Sequence, residues 1–481
     1  MAEPLWTVPD LIAATSGRLD GEAPDGIVGI SIDSRSLAPG DLFVALKDQR
    51  DGHEFVGAAF AAGAAAALVA EGYARQPGDG ALVRVADTLE GLRGLARAAR
   101  QRIVDMARDE MAPDPHVIAV TGSAGKTTTK EMLRTALSAY GPTHAADKSF
   151  NNHWGVPLTL ARMPAGTKYA VIEIGMNHAG EIAPLSKLAR PAVAIVLNVL
   201  PAHIGHFDSI EGIAREKASI FAGLADGGTA IYNATTSSSG ILRAIAEKHA
   251  RLVWSFGGRA AVGADACVKG NADNFGRPEA AIGFKAGDEE TFPMPVHGMH
   301  IAENTAAIAL AMRVCEIADF SPAKRALAEM SAPAGRGDRV EIAVPSGGTA
   351  LLIDESYNAN PGSMVAAINT ARGEAEPELS RLVFVLGDML ELGERSTELH
   401  NELRDVIGHY PKTTVFAAGP HMSAMLDGLP EAMRGGQALT AAELQPMVLA
   451  ALRDGDVVMV KGSNGSKVWQ VAHALKALRK S

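Results

Sequence analysis

The residues with the clearest chemical potential form the glycine-rich segment Gly122-Ser123-Ala124-Gly125-Lys126-Thr127-Thr128. Apolar, β-branched residues before it predict a buried strand, and the residues after it predict an amphipathic helix. A glycine loop between a strand and a helix directs N–H groups at an anion, and the helix dipole adds positive potential. In such a phosphate loop Lys126 would reach the β- and γ-phosphates and Thr127 would bind Mg²⁺. Because Val120 stands where the general pattern has glycine, an ordinary glycine turn is the alternative.

Three ionisable residues of the same region could complete a site. Glu173 lies near the C-terminal end of the predicted apolar strand 169–175, at the edge where ligands gather in parallel sheets. It would either bind a metal or form a salt bridge with a neighbouring helix. His203 follows the predicted strand 192–199, and Lys217 lies on the next predicted helix. Taken singly, His203 favours capping or packing and Lys217 favours an exposed helix face. Only their combination suggests a common site.

Two polar clusters lie outside that region. The first comprises Ser31, Asp33, Ser34 and Arg35 at the end of a predicted strand. Capping of the strand end and a socket for a nucleotide base and diphosphate explain it equally well. The second cluster is the segment 354–361, Asp-Glu-Ser-Tyr-Asn-Ala-Asn-Pro, which follows another predicted strand. An Asn-x-Asn-Pro turn explains part of it, but its polar density favours an active-site loop.

Strands and helices alternate along the chain, which predicts an α/β fold with three domains. We expect a small N-terminal α/β domain at 1–112, a central phosphate-loop domain with a parallel mononucleotide-binding sheet at 113–332, and a doubly wound, Rossmann-like domain at 333–481. The stretch around 250–295 is β-rich, but its pattern is too irregular to assign single elements. Further elements are predicted as strands at 30–35, 41–46, 81–85, 381–386, 413–417 and 456–460, helices at 54–68 and 302–317, and a hairpin of 339–344 with 349–354.

Composition narrows the function classes. The chain has 481 residues and a net charge of −10, which disfavours nucleic acid or an anionic membrane as a partner. Its two cysteines, Cys267 and Cys315, form no metal or disulfide framework and are typical of a reducing cytoplasm. The longest apolar run is too short to span a bilayer, and Glu3 and Asp10 stand where a signal peptide would carry positive charge. We therefore expect a cytoplasmic protein.

Several motifs together resemble those of the Mur ligases, ATP-dependent amide-forming enzymes of bacterial cell-wall synthesis. The resemblance covers essentially the whole chain. The segment Ser356-Tyr357-Asn358-Ala359-Asn360 is the most discriminating, because it resembles the members that add D-alanyl-D-alanine. The other motifs are 33–35, 39–46, 51–53, the phosphate loop, 151–152 with 155–160, 173–178, 201–203, Lys217, Gly335-Arg336, Asp354, 361–364, 387–393 and 461–463.

The resemblance implies a reaction. The C-terminal carboxylate of UDP-N-acetylmuramoyl-tripeptide would attack the γ-phosphate of ATP, and the amine of D-alanyl-D-alanine would then attack the acyl phosphate. The products would be ADP, phosphate and the pentapeptide precursor of peptidoglycan. Cell shape and cell division depend on this pathway. The resemblance also implies a monomer in a bacterial cytoplasm and two Mg²⁺ ions. It implies that the lysine at the metal site is carbamylated, because an ammonium group cannot bind Mg²⁺ whereas a carbamate can.

The resemblance also implies roles for single residues. The implied catalytic residues are Lys126, Glu173, His203 and Lys217. The implied metal ligands are Thr127, Glu173, His203 and Lys217 as a carbamate. ATP would be bound by Gly122, Ser123, Ala124, Gly125, Lys126, Thr127, Thr128, Asn304, Arg336 and Asp354. The other substrates would be bound by Ser31, Asp33, Ser34, Arg35, Asn152, Tyr357, Asn358 and Asn360.

This sequence departs from the family pattern at three positions. Asp48 stands where glycine is common, in the loop expected near uridine. The family often has His-Asn-x-x-Asn where this chain has His300-Ile301-Ala302-Glu303-Asn304, so Ile301 replaces one asparagine. Ser219 stands where glutamate is common, two residues after Lys217. Two rival functions are another ligase of the superfamily, either a diamino-acid-adding muramyl ligase or a folylpolyglutamate synthetase, and a phosphate-loop ATPase that works as a switch. A panel of amino-acid and dipeptide substrates would distinguish the D-alanyl-D-alanine-adding enzyme from the other ligases. ATP hydrolysis in the absence of the other substrates would identify a switch ATPase.

Overall fold

The computed structural model describes residues 4–201, 204–261, 263–274, 277–375, 380–408, 410 and 412–479. The described chain forms three sheets of five, nine and six strands, one in each predicted domain. This arrangement confirms the predicted three-domain α/β fold class, while the boundaries near residues 112 and 332 stay predictions. His203 lies outside the described residues. In the part of the chain that the structure describes, no helix is both long and apolar enough to cross a membrane.

The N-terminal sheet has the strand order β1-β5-β4-β3-β2, and only β1 runs antiparallel to its neighbour. A 3₁₀ helix at Gly52–Phe55 precedes α2. The elements are α1 (Val8–Thr15), β1 (Arg18–Asp20), β2 (Gly29–Ser31), β3 (Asp41–Val44), α2 (Val56–Ala61), β4 (Ala66–Ala70), β5 (Ala81–Val85) and α3 (Thr88–Asp109).

The helix predicted over 54–68 is wrong in its second half. The α-helix ends at Ala61, and Gly63 then adopts a φ of +98°, a left-handed conformation that glycine adopts without strain. Residues 66–70 form β4, which pairs in parallel with β3 and β5. Alanine suits both a helix and a buried strand, so the pairing of neighbouring strands decided the outcome.

The central sheet has the order β14-β13-β12-β11-β10-β9-β6-β8-β7. Strands from β7 to β12 are parallel, and β12, β13 and β14 extend the sheet as an antiparallel meander in the β-rich stretch whose pattern was too irregular to assign. Its elements are β6 (His116–Thr121), α4 (Lys126–Ser138), β7 (Thr143–Ala145), α5 (Gly155–Ala161), β8 (Tyr169–Glu173), α6 (Ile182–Ala189), β9 (Val193–Val196), α7 (Ile210–Ala218), β10 (Thr229–Asn233), α8 (Ser239–His249), β11 (Leu252–Gly257), β12 (Ala266–Asn274), β13 (Arg277–Phe284), β14 (Glu289–Pro293), α9 (Met299–Val314) and α10 (Ser321–Ala328).

The C-terminal sheet has the order β15-β16-β20-β17-β18-β19, and it is parallel except for β15. The predicted hairpin is confirmed, with Ala343 opposite Thr349. The elements are β15 (Asp338–Ala343), β16 (Thr349–Glu355), α11 (Pro361–Glu374), β17 (Leu382–Gly387), α12 (Ser396–Asn401), α13 (Leu403–Ile407), β18 (Thr413–Ala418), α14 (Pro420–Asp427), β19 (Arg434–Ala438), α15 (Ala441–Ala451), β20 (Val457–Lys461) and α16 (Trp469–Lys476).

Strand order explains how distant residues meet. Strand β6, which leads into the phosphate loop, lies between β8 and β9, so their carboxyl ends meet at one edge of the sheet. Glu173 is the last residue of β8 and pairs with Val120 of β6. Ligands bind at such edges in open α/β sheets. The central sheet therefore presents the phosphate loop and Glu173 side by side.

Candidate active site

The phosphate loop is held in shape by its own backbone and by the strand beside it. Gly125 has a φ of +80°, which a side chain would strain. The Nζ atom of Lys126 donates a 2.7 Å hydrogen bond to the carbonyl oxygen of Gly122. The side chain of Asn198, just after β9, accepts from the N–H of Ala124 at 2.9 Å and donates to its carbonyl at 3.1 Å. The loop is therefore preorganised for phosphate.

A buried carboxylate lies beside the start of α4. The Oγ1 atom of Thr127 donates to Oε2 of Glu173 at 2.9 Å, and the amide of Asn151 donates to Oε1 at 2.7 Å. The hydroxyl of Ser149 lies 3.0 Å from that of Thr127. Glu173 is 3% exposed, and its recorded partners are hydroxyl and amide groups rather than a cation on a neighbouring helix. Its oxygens and that of Thr127 thus form a compact set of hard oxygen donors.

Lys217 is buried, so the exposed helix face that its position alone favoured is wrong. Its side chain is on α7 and is 2% exposed. Burial lowers the pKa of Lys217 well below its ordinary value, and the positive charge of Lys126 lowers it further. The charge of Glu216 opposes this shift, but its two carboxylate oxygens accept from the backbone N–H groups of Gly180 and Ile182 at 2.8 Å. The environment of Lys217 favours a neutral amine.

Lys126 is subject to similar forces. Burial lowers the pKa of Lys126, the carboxylate of Glu173 raises it, and the charge of Arg336 lowers it. The charge of Lys126 thus acts on Lys217 and that of Arg336 acts on Lys126, although Lys217 lines neither of the two cavities described below. Such crowding of cations is unfavourable without an anion, and a polyphosphate would relieve it.

Two residues of the C-terminal unit close the site, Arg336 just before β15 and Tyr357 just after β16. The guanidinium carbon of Arg336 lies 3.8 Å from the ring centroid of Tyr357. Both side chains also reach Ser149, with Nη2 of Arg336 donating at 3.3 Å and the Tyr357 hydroxyl at 3.1 Å. Ser149 therefore links the central unit to the C-terminal unit next to Thr127.

The segment 357–360 forms the turn that its sequence predicts and also contacts the phosphate loop. Asn360 caps α11, accepting from the N–H of Ser363 at 2.9 Å, as the turn alternative predicts. Its Nδ2 atom also donates to the carbonyl of Ser123 in the phosphate loop at 3.3 Å. The carbonyl of Asn358 accepts from Nζ of Lys461 at 2.9 Å. The segment is a helix cap that also touches the phosphate loop.

Of the predicted ATP-binding residues, Asn304 lies beside the phosphate loop, whereas the carboxylate of Asp354 is bonded to other residues of the C-terminal unit. Asn304 on α9 is 2% exposed, its Nδ2 has no recorded hydrogen-bond partner among the described residues, and a Cβ atom at Gly125 would come within 2.5 Å of it. Asp354 instead accepts from the Ser356 hydroxyl at 2.6 Å and pairs with Lys476 at 2.7 Å. Asn304 thus offers an unused donor beside the phosphate loop, whereas the Asp354 carboxylate is engaged within the C-terminal unit.

Two adjoining cavities meet at the phosphate loop. The first has a volume of about 490 Å³ and extends from residues 123–128 to His300, Glu303 and Arg336. The second has a volume of about 650 Å³ and extends from Asn152 towards Leu390 of the C-terminal unit. The residues lining both cavities are Ser123, Lys126, Asn151, Tyr357, Asn358, Ala359 and Asn360. A ligand in each cavity would meet the other beside Lys126.

Comparison with known proteins agrees with this arrangement. A family profile described as the Mur ligase middle domain matches residues 120–312, and one described as the Mur ligase glutamate ligase domain matches residues 335–464. A UDP-N-acetylmuramoyl-tripeptide–D-alanyl-D-alanine ligase of Escherichia coli (strain K12) is 35% identical over 476 residues, which cover 98% of each chain. The chain belongs to the Mur ligase family.

Solved structures support the same assignment for this Mur ligase. MurF from Acinetobacter baumannii superposes with a TM-score of 0.82 at 30% identity, covering 99% of this chain and all of the other. A MurF ligase from Thermotoga maritima, solved in complex with ADP, gives a TM-score of 0.75 at 25% identity, covering 93% of this chain and 97% of the other. The likeness extends over all three sheets, as the sequence resemblance implied.

The cluster predicted for the UDP end of the substrate has a local structure in this Mur ligase. The Ser31 hydroxyl accepts from the N–H of Asp33 at 3.2 Å, and Asp33 accepts from the N–H of Arg35 at 3.0 Å. The Arg35 side chain, which is 88% exposed, pairs with Asp33 at 2.7 Å and lowers the pKa of Asp33 to about 2. These turn contacts explain the cluster as a strand end. Ser31, Asp33, Ser34 and Arg35 do not line either of the two cavities, and their substrate role stays a prediction.

Some residues of the Mur ligase site escaped sequence reasoning. The sequence patterns do not identify Ser149 or Asn198, although Asn198 lies near the end of the predicted strand 192–199, at the ligand-binding edge. Glu303 lines the first cavity, and burial raises its pKa. Its position directly before Asn304 was the available signal. Within the described residues, no group of three or more His, Cys, Asp or Glu side chains could hold a metal.

Proposed function

We propose that this Mur ligase joins D-alanyl-D-alanine to the C-terminal carboxylate of UDP-N-acetylmuramoyl-tripeptide, converting ATP to ADP and phosphate. The product is the pentapeptide precursor of peptidoglycan. The observation that carries the proposal is the meeting of the two cavities at Lys126 and the 357–360 segment. The relative from Escherichia coli, which carries this activity in its name, matches the chain over 98% of both lengths and supports the choice of substrates.

The first cavity fits ATP. The N–H groups of residues 123–128 and the ammonium of Lys126 would bind the phosphates, as a helix N-terminus with a glycine loop does. The guanidinium of Arg336 lines this cavity, and the amide of Asn304, which has no recorded partner among the described residues, would add a second donor from beside Gly125. We assign Asp354 a supporting role, because its bonds to Ser356 and Lys476 position the segment that follows β16.

The donor set beside the phosphate loop fits Mg²⁺, which prefers oxygen ligands and is commonly bound by one or two carboxylates together with substrate phosphates. Thr127, Glu173, His203 and a carbamylated Lys217 would hold two ions, which neutralise the negative charge of the reactants. Carbamylation requires a neutral amine, and the depressed pKa of Lys217 supplies one. It would also turn a buried cation into an anionic oxygen ligand.

The second cavity fits the two peptide substrates. Bringing the tripeptide carboxylate to the γ-phosphate requires Lys126 between them, because two anions must approach each other. The carboxylate forms a bond to phosphorus as ADP leaves. The amine of D-alanyl-D-alanine then attacks the acyl carbon, a proton leaves the nitrogen, and phosphate departs. Asn152 would orient the acid, and Tyr357, Asn358 and Asn360 would hold the dipeptide while the closed units exclude water.

The remaining parts of the proposal concern location and assembly. Ser31, Asp33, Ser34 and Arg35 would hold the UDP group, beyond the second cavity. A single chain lines both cavities, so we propose that a monomer is active. We place the reaction in the bacterial cytoplasm, where ATP and UDP-linked precursors occur. Sedimentation of the enzyme during turnover would test the monomer, and a dimer that loses activity on dilution would contradict it.

Phosphate release with defined substrates tests the function. We expect release only when ATP, UDP-N-acetylmuramoyl-tripeptide and D-alanyl-D-alanine are all present. Labelled oxygen in the tripeptide carboxylate should appear in the released phosphate, since the acyl phosphate transfers that oxygen. Release with meso-diaminopimelate or glutamate in place of the dipeptide would favour another ligase of the superfamily. ATP hydrolysis without either peptide substrate would favour a switch ATPase.

A further inference from the structure

A third cavity of about 1000 Å³ lies between α1, α3 and α6, where the N-terminal unit packs on the central unit. Among the described residues, none that lines it also lines either cavity of the active site. Nothing in the proposed reaction uses this space. Its lining is both cationic and apolar, which is unusual in a chain with a net charge of −10.

Five basic side chains line this cavity. Arg93, Arg97 and Arg100 follow one face of α3 at helical spacing, and Lys187 and Arg190 come from the end of α6. The lining contains one carboxylate, Glu90, which pairs with Arg93 and lies 4.0 Å from Arg97. In the described chain, no ion pair is recorded for Arg100, Lys187 or Arg190. Five cations against one carboxylate leave the described lining with an excess of about four positive charges, which Asp114, acting on Arg100 from outside the lining, partly offsets.

Arg100 supplies a donor that the protein leaves unused. The residue is 6% exposed, and it donates from Nε to the carbonyl of Ala189 and from Nη2 to the carbonyl of Arg190, each at 3.1 Å. Its Nη1 atom has no recorded hydrogen-bond partner among the described residues. Burial lowers the pKa of Arg100 to about 10, so the group stays charged at neutral pH. A buried cation with a free N–H is costly unless an anion or water completes it.

The rest of the lining is apolar. Pro184, Leu185 and Leu188 of α6 face Ala98 of α3. Gly94 allows the close packing of α1, since a Cβ atom there would come within 2.1 Å of the carbonyl oxygen of Ala14. A fully hydrated ion such as free phosphate would leave this apolar wall without a partner. The lining thus fits a ligand that has an anionic end and an apolar body.

We propose that this cavity, lined by Arg97, Arg100, Lys187 and Arg190, is a second ligand site that binds a small phosphorylated molecule with an apolar body. Arginine pairs well with phosphate oxygens through parallel N–H groups. A phosphate monoester carries up to two charges and would offset part of the excess. A small molecule is favoured over an acidic protein segment, because the unused donor belongs to a side chain that is almost entirely buried.

Calorimetric titration with phenyl phosphate tests the proposal, with phenol and inorganic phosphate as the two partial probes. The test variant is Arg97→Ala with Lys187→Ala, since both side chains are exposed and their loss should not unfold the chain. The matched control is Arg108→Ala on the same helix, whose side chain is 73% exposed and pairs only with Asp105 in the described structure. We expect phenyl phosphate to bind more tightly than either partial probe, and the double variant to bind it at least about tenfold more weakly, while the control is unchanged.

The titration is repeated with saturating ADP and UDP. Retained binding of phenyl phosphate supports a separate site, and displacement by either nucleotide would overturn it by placing the probe in the substrate site. Equal affinity of the double variant and the wild type would also overturn it. A glutamate-rich peptide that binds where phenyl phosphate does not would replace the proposal with a protein-docking surface. Because these readouts need no turnover, they stand apart from any failure of the proposed ligase activity.

Discussion

The hydroxyl of Thr127 donates a 2.9 Å hydrogen bond to Oε2 of Glu173, joining the start of α4 to the end of β8 through one buried oxygen pair. The side-chain amide of Asn151 donates a 2.7 Å hydrogen bond to Oε1, the other carboxylate oxygen of Glu173. The pair lies beside the ammonium of Lys126, so opposite charges meet where the phosphate loop ends. This relationship places the candidate metal ligands next to the phosphate site and generates the first prediction.

Replacing the carboxylate should weaken the metal site without removing the fold. In Glu173→Gln the side chain keeps its size but loses its charge. Metal charge stabilisation is worth several kcal/mol, so we expect kcat to fall on the order of 100-fold or more and the Mg²⁺ concentration for half-maximal rate to rise. The measurement is phosphate release against Mg²⁺ concentration. Ser149→Ala, which removes a neighbouring hydroxyl without charge, is the control; an unaltered Mg²⁺ dependence in Glu173→Gln would refute the ligand role.

Lys217 should require carbon dioxide. Its lowered pKa provides the neutral amine from which a carbamate forms, so activity should drop in CO₂-free buffer and return with bicarbonate. Lys217→Ala should be inactive, and acetate should restore part of the rate by supplying a carboxylate. Turnover measured in degassed and bicarbonate-supplemented buffer gives the readout. Full activity of Lys217→Ala without any additive would contradict the carbamate.

The same lysine should shape the pH dependence of stability. The unfolded chain binds the proton up to a pKa of about 10.4, whereas the folded chain releases it at lower pH. Between those two values the unfolded state binds more protons, so the free energy of unfolding should rise as pH rises through this window. Lys217→Met should flatten that rise when both are unfolded in urea without bicarbonate. Parallel pH profiles for wild type and variant would mean that burial of Lys217 does not perturb its titration.

Asn304 should act in nucleotide binding and contribute little to folding. Its Nδ2 has no recorded partner in the described structure, so Asn304→Asp replaces an unused donor beside Gly125 with an acceptor that repels phosphate. A hydrogen bond to a charged group contributes about 1.5–3 kcal/mol, which predicts a rise in the KM for ATP of about ten- to a hundredfold. Nucleotide titrations and thermal unfolding separate the two effects. If the KM for ATP stays constant, the amide does not face the nucleotide.

A glycine pair joins the central and C-terminal units. A Cβ atom at Gly205 would come within 2.7 Å of the backbone nitrogen of Gly393, which itself has a φ of +58°. Gly205→Ala should hold the units apart at the edge of the second cavity and lower kcat/KM for the peptide substrates by about tenfold, the equivalent of a modest overpacking strain of about 1–3 kcal/mol. Gly240→Ala, where a Cβ atom would meet nothing within 4 Å, is the control. Identical kinetics for both variants would show that this contact is not needed for turnover.

Local patterns were sufficient for much of the architecture. The phosphate loop, the strand that ends at Glu173 and the hairpin of β15 with β16 were predictable, because each depends on residues that are neighbours in sequence. The helix predicted over 54–68 shows the limit, since its second half pairs as β4 between strands that no local window contains. The stretch that holds the meander of β12 to β14 is β-rich in sequence, but its strands could not be assigned because the irregular pattern carries no clear period.

The amino-acid sequence by itself determined the fold class, the phosphate loop and the resemblance to a ligase family, because residue type and short spacing carry that information. Only the tertiary structure decided which side chains of the site pair with each other and which of them favour a neutral form. Thr127 lies 46 residues from Glu173 in the sequence but donates a hydrogen bond to it in the fold. Burial and the charge of Lys126 together lower the pKa of Lys217, which favours its neutral amine. Desolvation and Coulomb interactions depend on distance in space, and a linear sequence does not contain those distances.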